Sequence, residues 1–295
     1  MPRSSLVSDA LVPPYQSLLQ TAIKSAHTAG SIMTSATSID KEVSVTKVNK
    51  KDLLTKIDPM CEAAIKSTIL ESFPDHLILG EESVEPGASA SSDALSSYLS
   101  ESESLNKPLW IIDPIDGTTN YVHDLRYSSP SIACSINGSI VVACIYDPYA
   151  NETFTAIKNS GACLNGKPIH VKPETCLEDS VIAMGAPPGK LSAEKSIIGF
   201  EALLPKVRTI RMLGSAALML SWVATGRLNC YWEWDLSSWD VAAGGLIVEE
   251  AGGRMRGLMM DDGRFEVGER RILADDGRCG EEVRRILKES GVFLK

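Results

Sequence analysis

The stretch WIIDPIDGTTN, residues 110–120, decides the reading of this chain: an apolar run delivers two aspartates three residues apart, with Pro114 between them and Gly117 directly after the second. LWIID (109–113) has the unbroken apolar character of a strand buried on both faces. Pro114 disfavours the α region for Asp113, which keeps that carboxylate at the strand end. Asp116 then begins a turn, and Gly117-Thr118-Thr119 opens a helix whose free N–H groups and dipole face an anion. Carboxylates beside such a helix start would repel the anion unless cations sat between them. Hard oxygen ligands at this density suit Mg²⁺, which keeps part of its water shell and bridges carboxylate to phosphate. The competing reading of DPIDG alone is a solvated Asx/Pro turn.

Working outward, the apolar positions 18, 19, 22, 23 and 26 predict an amphipathic helix from Tyr15 to Met33. Asp58-Pro59 reads as an N-cap with proline at the first helical position, leading a helix through Ala64, Ile65, Ile69 and Phe73 that Pro74 stops. HLILG (76–80) predicts a strand running into the acidic turn Glu81-Glu82. Residues 85–107, rich in Ser, Glu and Ala, read as an exposed loop with at most one helical turn. SIACSI-NG-SIVVACIY predicts a hairpin around a type I′ turn; Pro130 and Asn137-Gly138 interrupt what is otherwise an uncharged stretch of membrane-span length. NETFTAI (151–157) and an Asn165-Gly166 turn follow. The second half alternates VIAMGAP (181–187), a charged segment to Arg211, a buried helix from Ser215, LNCYWEW (228–234), the helix of WDVAAGG, RILADD (271–276) and a last helix, Glu281 to Glu289. That alternation predicts a layered arrangement of helices and sheets.

The chain has 295 residues, 44% hydrophobic and 23% charged, with 29 Lys+Arg against 38 Asp+Glu, a formal charge of −9. This is enough chain for a large core, and its acidity disfavours nucleic acid and anionic membrane surfaces as partners. Seven scattered cysteines with no CxxC pair, and only four histidines, argue against a disulfide framework or a zinc site. With no signal-like apolar run in MPRSSLVSDALVPPYQ, the expectation is a cytoplasmic protein with no membrane span.

Two further acidic sites accompany DPIDG. Gly80-Glu81-Glu82 leaves a strand in the same manner, and Asp240 stands at the start of a helix, where it could equally serve the helix N-terminus with Ser237 as cap. GEES, DPIDGTTN and WDVAAGG…EEAGG, in this order and at this separation, resemble the inositol monophosphatase family of Mg²⁺-dependent, lithium-sensitive phosphatases, over about Lys47 to Gly253. The resemblance implies an α+β fold, a layered αβαβα sandwich shared with fructose-1,6-bisphosphatase-like proteins, and a homodimer. It implies two or three Mg²⁺ ions on Glu81, Asp113, the carbonyl of Ile115, Asp116 and Asp240. Thr118, hydrogen-bonded to Asp58, would orient the attacking water, with Glu82 supporting the ligands. Gly117, Thr118 and Lys47 would hold phosphate, and Gly214, Ser215, Ala216 and Glu233 would meet the hydroxyls of the substrate.

The resemblance thus implies hydrolysis of a small polyol phosphate, with myo-inositol monophosphate first among the candidates. Sugar 1-phosphates, histidinol phosphate, fructose bisphosphate and 3′-phosphoadenosine nucleotides are alternatives, and a catalytically idle dimeric scaffold is the alternative of another class. Thr119-Asn120-Tyr121 after DGT favours the inositol-type branch over the adenosine bisphosphate one. The chain is expected to form one catalytic unit of two halves: 1–170, with most of the metal ligands, and 171–295, with Asp240 and the substrate pocket.

Overall fold

Along the chain of the computed structural model, helix α1 (Gln16–Ser35) precedes a short antiparallel pair, β1 (Val43–Thr46) and β2 (Leu53–Thr55), then helix α2 (Ile57–Ser72), β3 (Leu77–Gly80), helix α3 (Ala88–Leu105) and β4 (Leu109–Asp116). A one-turn helix α4 (Thr118–Val122) leads into β5 (Ser129–Ile136), β6 (Ser139–Asp147), β7 (Glu152–Ile157), β8 (Ala162–Leu164) and β9 (Lys167–Ile169). The rest comprises β10 (Val181–Met184), α5 (Lys190–Leu203), β11 (Thr209–Arg211), α6 (Ala216–Ala224), β12 (Cys230–Glu233), α7 (Ser238–Glu250), β13 (Arg254–Gly257), β14 (Ile272–Asp275) and α8 (Gly280–Glu289). The structure describes residues 15–37, 43–46, 53–85, 87–172, 176–186, 189–259 and 264–293.

Strands β3 to β9 form a seven-stranded sheet in sequence order, parallel only between β3 and β4. Strands β11-β10-β12-β14-β13 form a second sheet, of five. Period-two alternation divides the side chains of each sheet between two cores. In β4, Trp110 and Ile112 pack with Ala22, Ala26, Ala29 and Met33 of α1 and Ile65 and Ile69 of α2, while Leu109 and Ile111 face the other way, toward α6 and α7. In β12, Cys230 and Trp232 face α5 and α8, and Tyr231 faces the middle. The layers therefore run α1/α2, first sheet, α6/α7, second sheet, α5/α8. This is the expected αβαβα sandwich. Because both sheets are covered on both faces, their central strands read as continuous apolar runs.

The hairpin forms as expected, with Asn137 and Gly138 both at positive φ (50° and 73°), as a type I′ turn requires. Residues 85–107 do not form the expected loop: they hold the 18-residue helix α3. Its Ser91, Leu95 and Ser102 are buried, with Ala94, Tyr98 and Leu99 packed partly against the central core. This is a helical stripe whose small polar members conceal it in the composition. The charged segment before Arg211 likewise holds a helix, α5. No helix among the described residues is long and apolar enough to cross a membrane.

Candidate active site

Asp113 and Asp116 belong to one strand, and three residues apart they would ordinarily point to opposite faces. The register of β4 against β5 shifts between them, with Asp113 opposite Ser131 and Asp116 opposite Ser129. The extra residue is a bulge that also accommodates Pro114, which has no N–H to pair. The strand thus continues to Asp116 instead of ending at Asp113. Asp113 Oδ1 accepts the Ile115 N–H at 2.9 Å, closing the bulge.

Asp116 faces the start of α6, where its carboxylate accepts the Ser215 hydroxyl and the N–H groups of Ala216 (3.1 Å) and Ala217 (2.9 Å). Asp240, the third residue of α7, accepts the Ser237 N–H at 2.6 Å. Each aspartate therefore does serve a helix start or turn. The structure also brings them together: carboxylate oxygens of Asp113, Asp116 and Asp240 lie within 4.8 Å of one another. Glu81, in the single 3₁₀ turn Glu81–Ser83 that follows β3, joins them through a hydrogen bond with Asp113.

Burial, then repulsion from Glu81, Asp116 and Asp240, holds Asp113 well above the usual carboxylate range. Asp240 is raised in the same way, by burial and then by Asp116 and Glu81. Burial pushes Asp116 up to about 6, against the pull of its Ser215, Ala217 and Ala216 hydrogen bonds. At this spacing two like charges repel by roughly 3–4 kcal/mol at an effective dielectric of about 20, and a divalent cation between them reverses the sign. The converging hard oxygen donors fit Mg²⁺: Asp113, Asp116 and Asp240 could hold it.

Beside this cluster Thr118 Oγ1 lies 3.3 Å from Asp58 Oδ1 and 3.0 Å from the Ile115 carbonyl. Asp58 is not the expected N-cap, because α2 begins at Ile57. Its Oδ2 instead accepts both the N–H (2.9 Å) and the hydroxyl (2.5 Å) of Thr55, which fixes the carboxylate toward Thr118. Gly117 opens α4 at φ 87°, and a Cβ there would lie 2.9 Å from the Gly214 carbonyl, so only glycine fits.

A cavity of about 450 Å³ lies against this cluster, with Asp116, Gly117, Thr118, Gly214, Ala216, Glu233 and Asp240 in its wall. A cavity of about 490 Å³ near Met33, Arg126 and Tyr149 gathers no such cluster among the described residues, so chemistry and not size selects the acidic one. Glu233 is buried, and burial pushes it up to about 7 although the Tyr231 hydroxyl donates to it. The two residues share one face of β12, two apart. Ser215 is placed otherwise than expected: 1% exposed, its hydroxyl is directed at Asp116 and receives the Leu218 N–H. Glu82 joins the frame through its backbone, donating to Glu62. Lys47 lies outside the described residues.

Glu62 and Asn120 were not anticipated. Glu62 accepts the Glu82 N–H (2.8 Å) and the Ser83 hydroxyl (2.5 Å) and pairs with Lys66, so it holds the acidic turn in place. Its signal was available: positions 58, 62, 65 and 69 form the buried stripe of α2, and a glutamate there needs partners. Asn120 Nδ2 donates to the Tyr127 (2.8 Å) and Leu213 (2.7 Å) carbonyls, tying DGTTN to the segment before α6. Met184, Met212, Leu213 and Leu236 give the cavity an apolar side that no motif marks.

The chain is similar to inositol monophosphatase 2 of Solanum lycopersicum, 39% identical over 228 residues, 76% of this chain and 80% of that protein. It is also similar to the Nus factor SuhB of Pseudomonas aeruginosa, 34% identical over 241 residues, 81% of this chain and 84% of the other. Among solved structures, an IMPase of Thermotoga maritima superposes with a TM-score of 0.78 at 30% identity, covering 93% of this chain and 98% of that one. The family model for the inositol monophosphatase family matches residues 15–291, and with the sandwich and acidic cluster already in place, the chain belongs to that family.

Proposed function

We propose that the protein is a Mg²⁺-dependent phosphatase that hydrolyses a small polyol phosphate, myo-inositol monophosphate first among them, to the free polyol and phosphate. The observation that carries this is the convergence of Asp113, Asp116 and Asp240 beside a cavity whose wall includes Asp116, Asp240, Thr118 and Glu233. Glu81, Asp113, the Ile115 carbonyl, Asp116 and Asp240 are assigned as the residues that would hold the ions. When bound, Mg²⁺ supplies Lewis-acid polarisation of water and of the phosphate and leaving-group oxygens.

The remaining work belongs to the chain itself. Thr118 Oγ1, donating to Asp58, keeps a lone pair that accepts a hydrogen bond from the attacking water and orients it toward phosphorus. Asp58, fixed by Thr55, orients Thr118; Glu62 fixes the turn that carries Glu81 and Glu82. The N–H groups of Gly117 and Thr118, with Lys47, receive phosphate oxygens. Glu233 accepts hydroxyls of the polyol, beside Gly214 and Ala216. We further assign the halves 1–170 and 171–295 to one catalytic unit that works as a cytoplasmic homodimer. The relative named a Nus factor supports a second reading, a binding protein that keeps the fold; the intact acidic cluster favours hydrolysis. Phosphate release from inositol 1-phosphate, galactose 1-phosphate, histidinol phosphate, fructose 1,6-bisphosphate and adenosine 3′,5′-bisphosphate, with Mg²⁺ and with EDTA, tests it. Mg²⁺-dependent release favouring the inositol ester is expected; another preferred ester replaces the substrate, and no release from any favours the binding protein.

A further inference from the structure

Strand β10 runs parallel beside β12, with Ala183 opposite Tyr231 and Met184 opposite Trp232. One residue further, the same register sets Gly185 opposite Glu233. Ile182 and Met184 face the α5/α8 core, so the face of this strand beside Tyr231 and Glu233 carries only Ala183 and Gly185. Those two small residues leave room for the larger pair next to them. Glu233 takes up that room: a Cβ on Gly185 would collide with its Cδ and both carboxylate oxygens. The carboxylate therefore lies over the glycine, and any side chain at position 185 must displace it. The Gly185 carbonyl accepts the Ser196 hydroxyl of α5 at 3.0 Å, which fixes this end of the strand.

A second contact holds the carboxylate from its own strand. The Tyr231 hydroxyl donates to Glu233 Oε2, and both residues are buried. Burial, then the charge of Glu233, keeps that hydroxyl well above its usual range, so it remains a donor. Oε1 has no hydrogen-bond partner among the described residues, and Glu233 and Gly185 both line the acidic cavity. With one oxygen tied and its path across the neighbouring strand fixed, the carboxylate offers the other oxygen in one direction. An untied glutamate would spread over several rotamers and lose that direction. Resting on the polyol phosphatase reading, we propose that Tyr231 is a positioning residue and Gly185 a specificity-determining position: together they set Glu233 Oε1 to accept one hydroxyl of the alcohol. Neither is among the groups assigned to the ions or to phosphate, so their effect falls on recognition of the alcohol and not on the attack at phosphorus.

Steady-state kinetics with Mg²⁺ on inositol 1-phosphate, or on whichever ester of the panel wild type prefers, test the assignment in single and double variants. Tyr231→Phe and Gly185→Ala should each raise KM by about fivefold, with kcat held within about twofold. In a Glu233→Ala background, where no carboxylate remains to be aimed, neither should add more than about twofold. An unchanged KM in either variant, a loss confined to kcat, or effects that add fully to Glu233→Ala overturn the assignment. Thermal unfolding gives a readout that needs no turnover. Gly185→Ala should lower the melting temperature of wild type and lower it much less in Glu233→Ala, where the collision is gone; equal shifts in the two backgrounds also overturn it. Because Gly185→Ala reaches the carboxylate without altering the buried tyrosine, it carries the kinetics if Tyr231→Phe fails to fold. Active wild type with variants that keep its KM sinks the positioning alone; wild type inactive on every ester sinks the polyol phosphatase reading, and the positioning with it.

Discussion

Two groups of buried carboxylates, at the ends of β4 and β14, make a comparison, and of the two only the second carries its own counterions. At the end of β14, Asp275 is fully buried, yet it accepts Arg256 Nε at 2.8 Å and the Gly277 N–H at 2.7 Å, while Arg256 Nη1 reaches Glu281 at 2.6 Å. Its neighbour Asp276 accepts the Arg278 and Cys279 N–H groups and Asn229. Burial still holds Asp275 above its usual range, with Arg256 pulling against it. At the end of β4, Asp113, Asp116 and Asp240 face one another, and among the described residues no arginine or lysine side chain bonds any of them. Burial of acids alone therefore does not mark a site. A burial whose charge the protein leaves uncompensated does, because the fold tolerates it only if something else binds there.

The sharpest way to break this comparison is to neutralise one acid in each group. Asp113→Asn or Asp240→Asn should lower turnover on the preferred phosphate ester by about a thousandfold or more, on the scale of losing a principal electrostatic contribution. In the metal-free protein the same changes should leave the melting temperature unchanged or raised, because they relieve repulsion. Asp275→Asn should do the reverse: it leaves Arg256 buried with only Glu281 and should cost about 3–5 kcal/mol of stability in denaturant titration, with turnover per folded molecule retained. Near-normal turnover in Asp113→Asn, or an unstable Asp113→Asn beside a stable Asp275→Asn, would reverse the assignment of roles.

Inside the acidic cavity the comparison sharpens between the group assigned to the attacking water and the group assigned to the alcohol. Thr118→Ala should lower kcat by about a hundredfold or more with little change in KM, since its hydroxyl is assigned to the attacking water. Glu233→Gln should chiefly raise KM, by about tenfold, the size of one charge-assisted hydrogen bond of roughly 1.5 kcal/mol. Steady-state kinetics on both variants separate the two; equal effects on kcat and KM would merge the roles.

pH distinguishes the groups more gently. Asp116 ionises near 6 in the fold against an ordinary value of 3.8, so the folded state holds its proton more tightly than the unfolded chain does. Its contribution is full below pH 3.8 and is lost as the pH rises to about 6. Metal-free protein should therefore lose stability across that window, and Mg²⁺ should abolish the loss. Urea titrations at several pH values, with and without EDTA, read this directly; a metal-free stability that rises through the window would overturn the electrostatic picture.

What could be read in the sequence follows the same division. The sandwich was legible because β4, β5 and β6 are buried on both faces and carry their apolar runs openly, and the acidic cluster because DPIDG forces both carboxylates to one strand end. The bulge that lets residues three apart share a face left no mark beyond Pro114. Nor did the distant partners: Ser215 on Asp116, Tyr231 on Glu233 and Glu62 under the acidic turn are contacts across the fold, visible only once the layers exist. Asp58 misled because an acid before a proline is a common helix start, whereas its carboxylate turns back to Thr55. Helix α3 failed for a compositional reason: Ser91, Ala94, Leu95, Tyr98, Leu99 and Ser102 keep the helical period, but half of that stripe is too small or too polar to raise a hydrophobic signal.

That missed helix supplies the smallest effect. α3 ends in Asn106 at φ 51°, ψ 43°, its N–H directed at the Glu103 and Ser102 carbonyls, and Lys107 N–H bonds Ser102 at 3.0 Å. This is a left-handed helix stop, a position that asparagine tolerates and a β-branched residue does not. Asn106→Val should cost about 1–2 kcal/mol, while Asn106→Gly should change stability by no more than a few tenths in either direction. Thermal or urea unfolding of the pair isolates the turn, because each variant keeps the rest of the helix. Were residues 85–107 a solvated loop, Asn106 would tolerate valine as readily as glycine, and a difference below about 0.5 kcal/mol between the two would return the segment to that description.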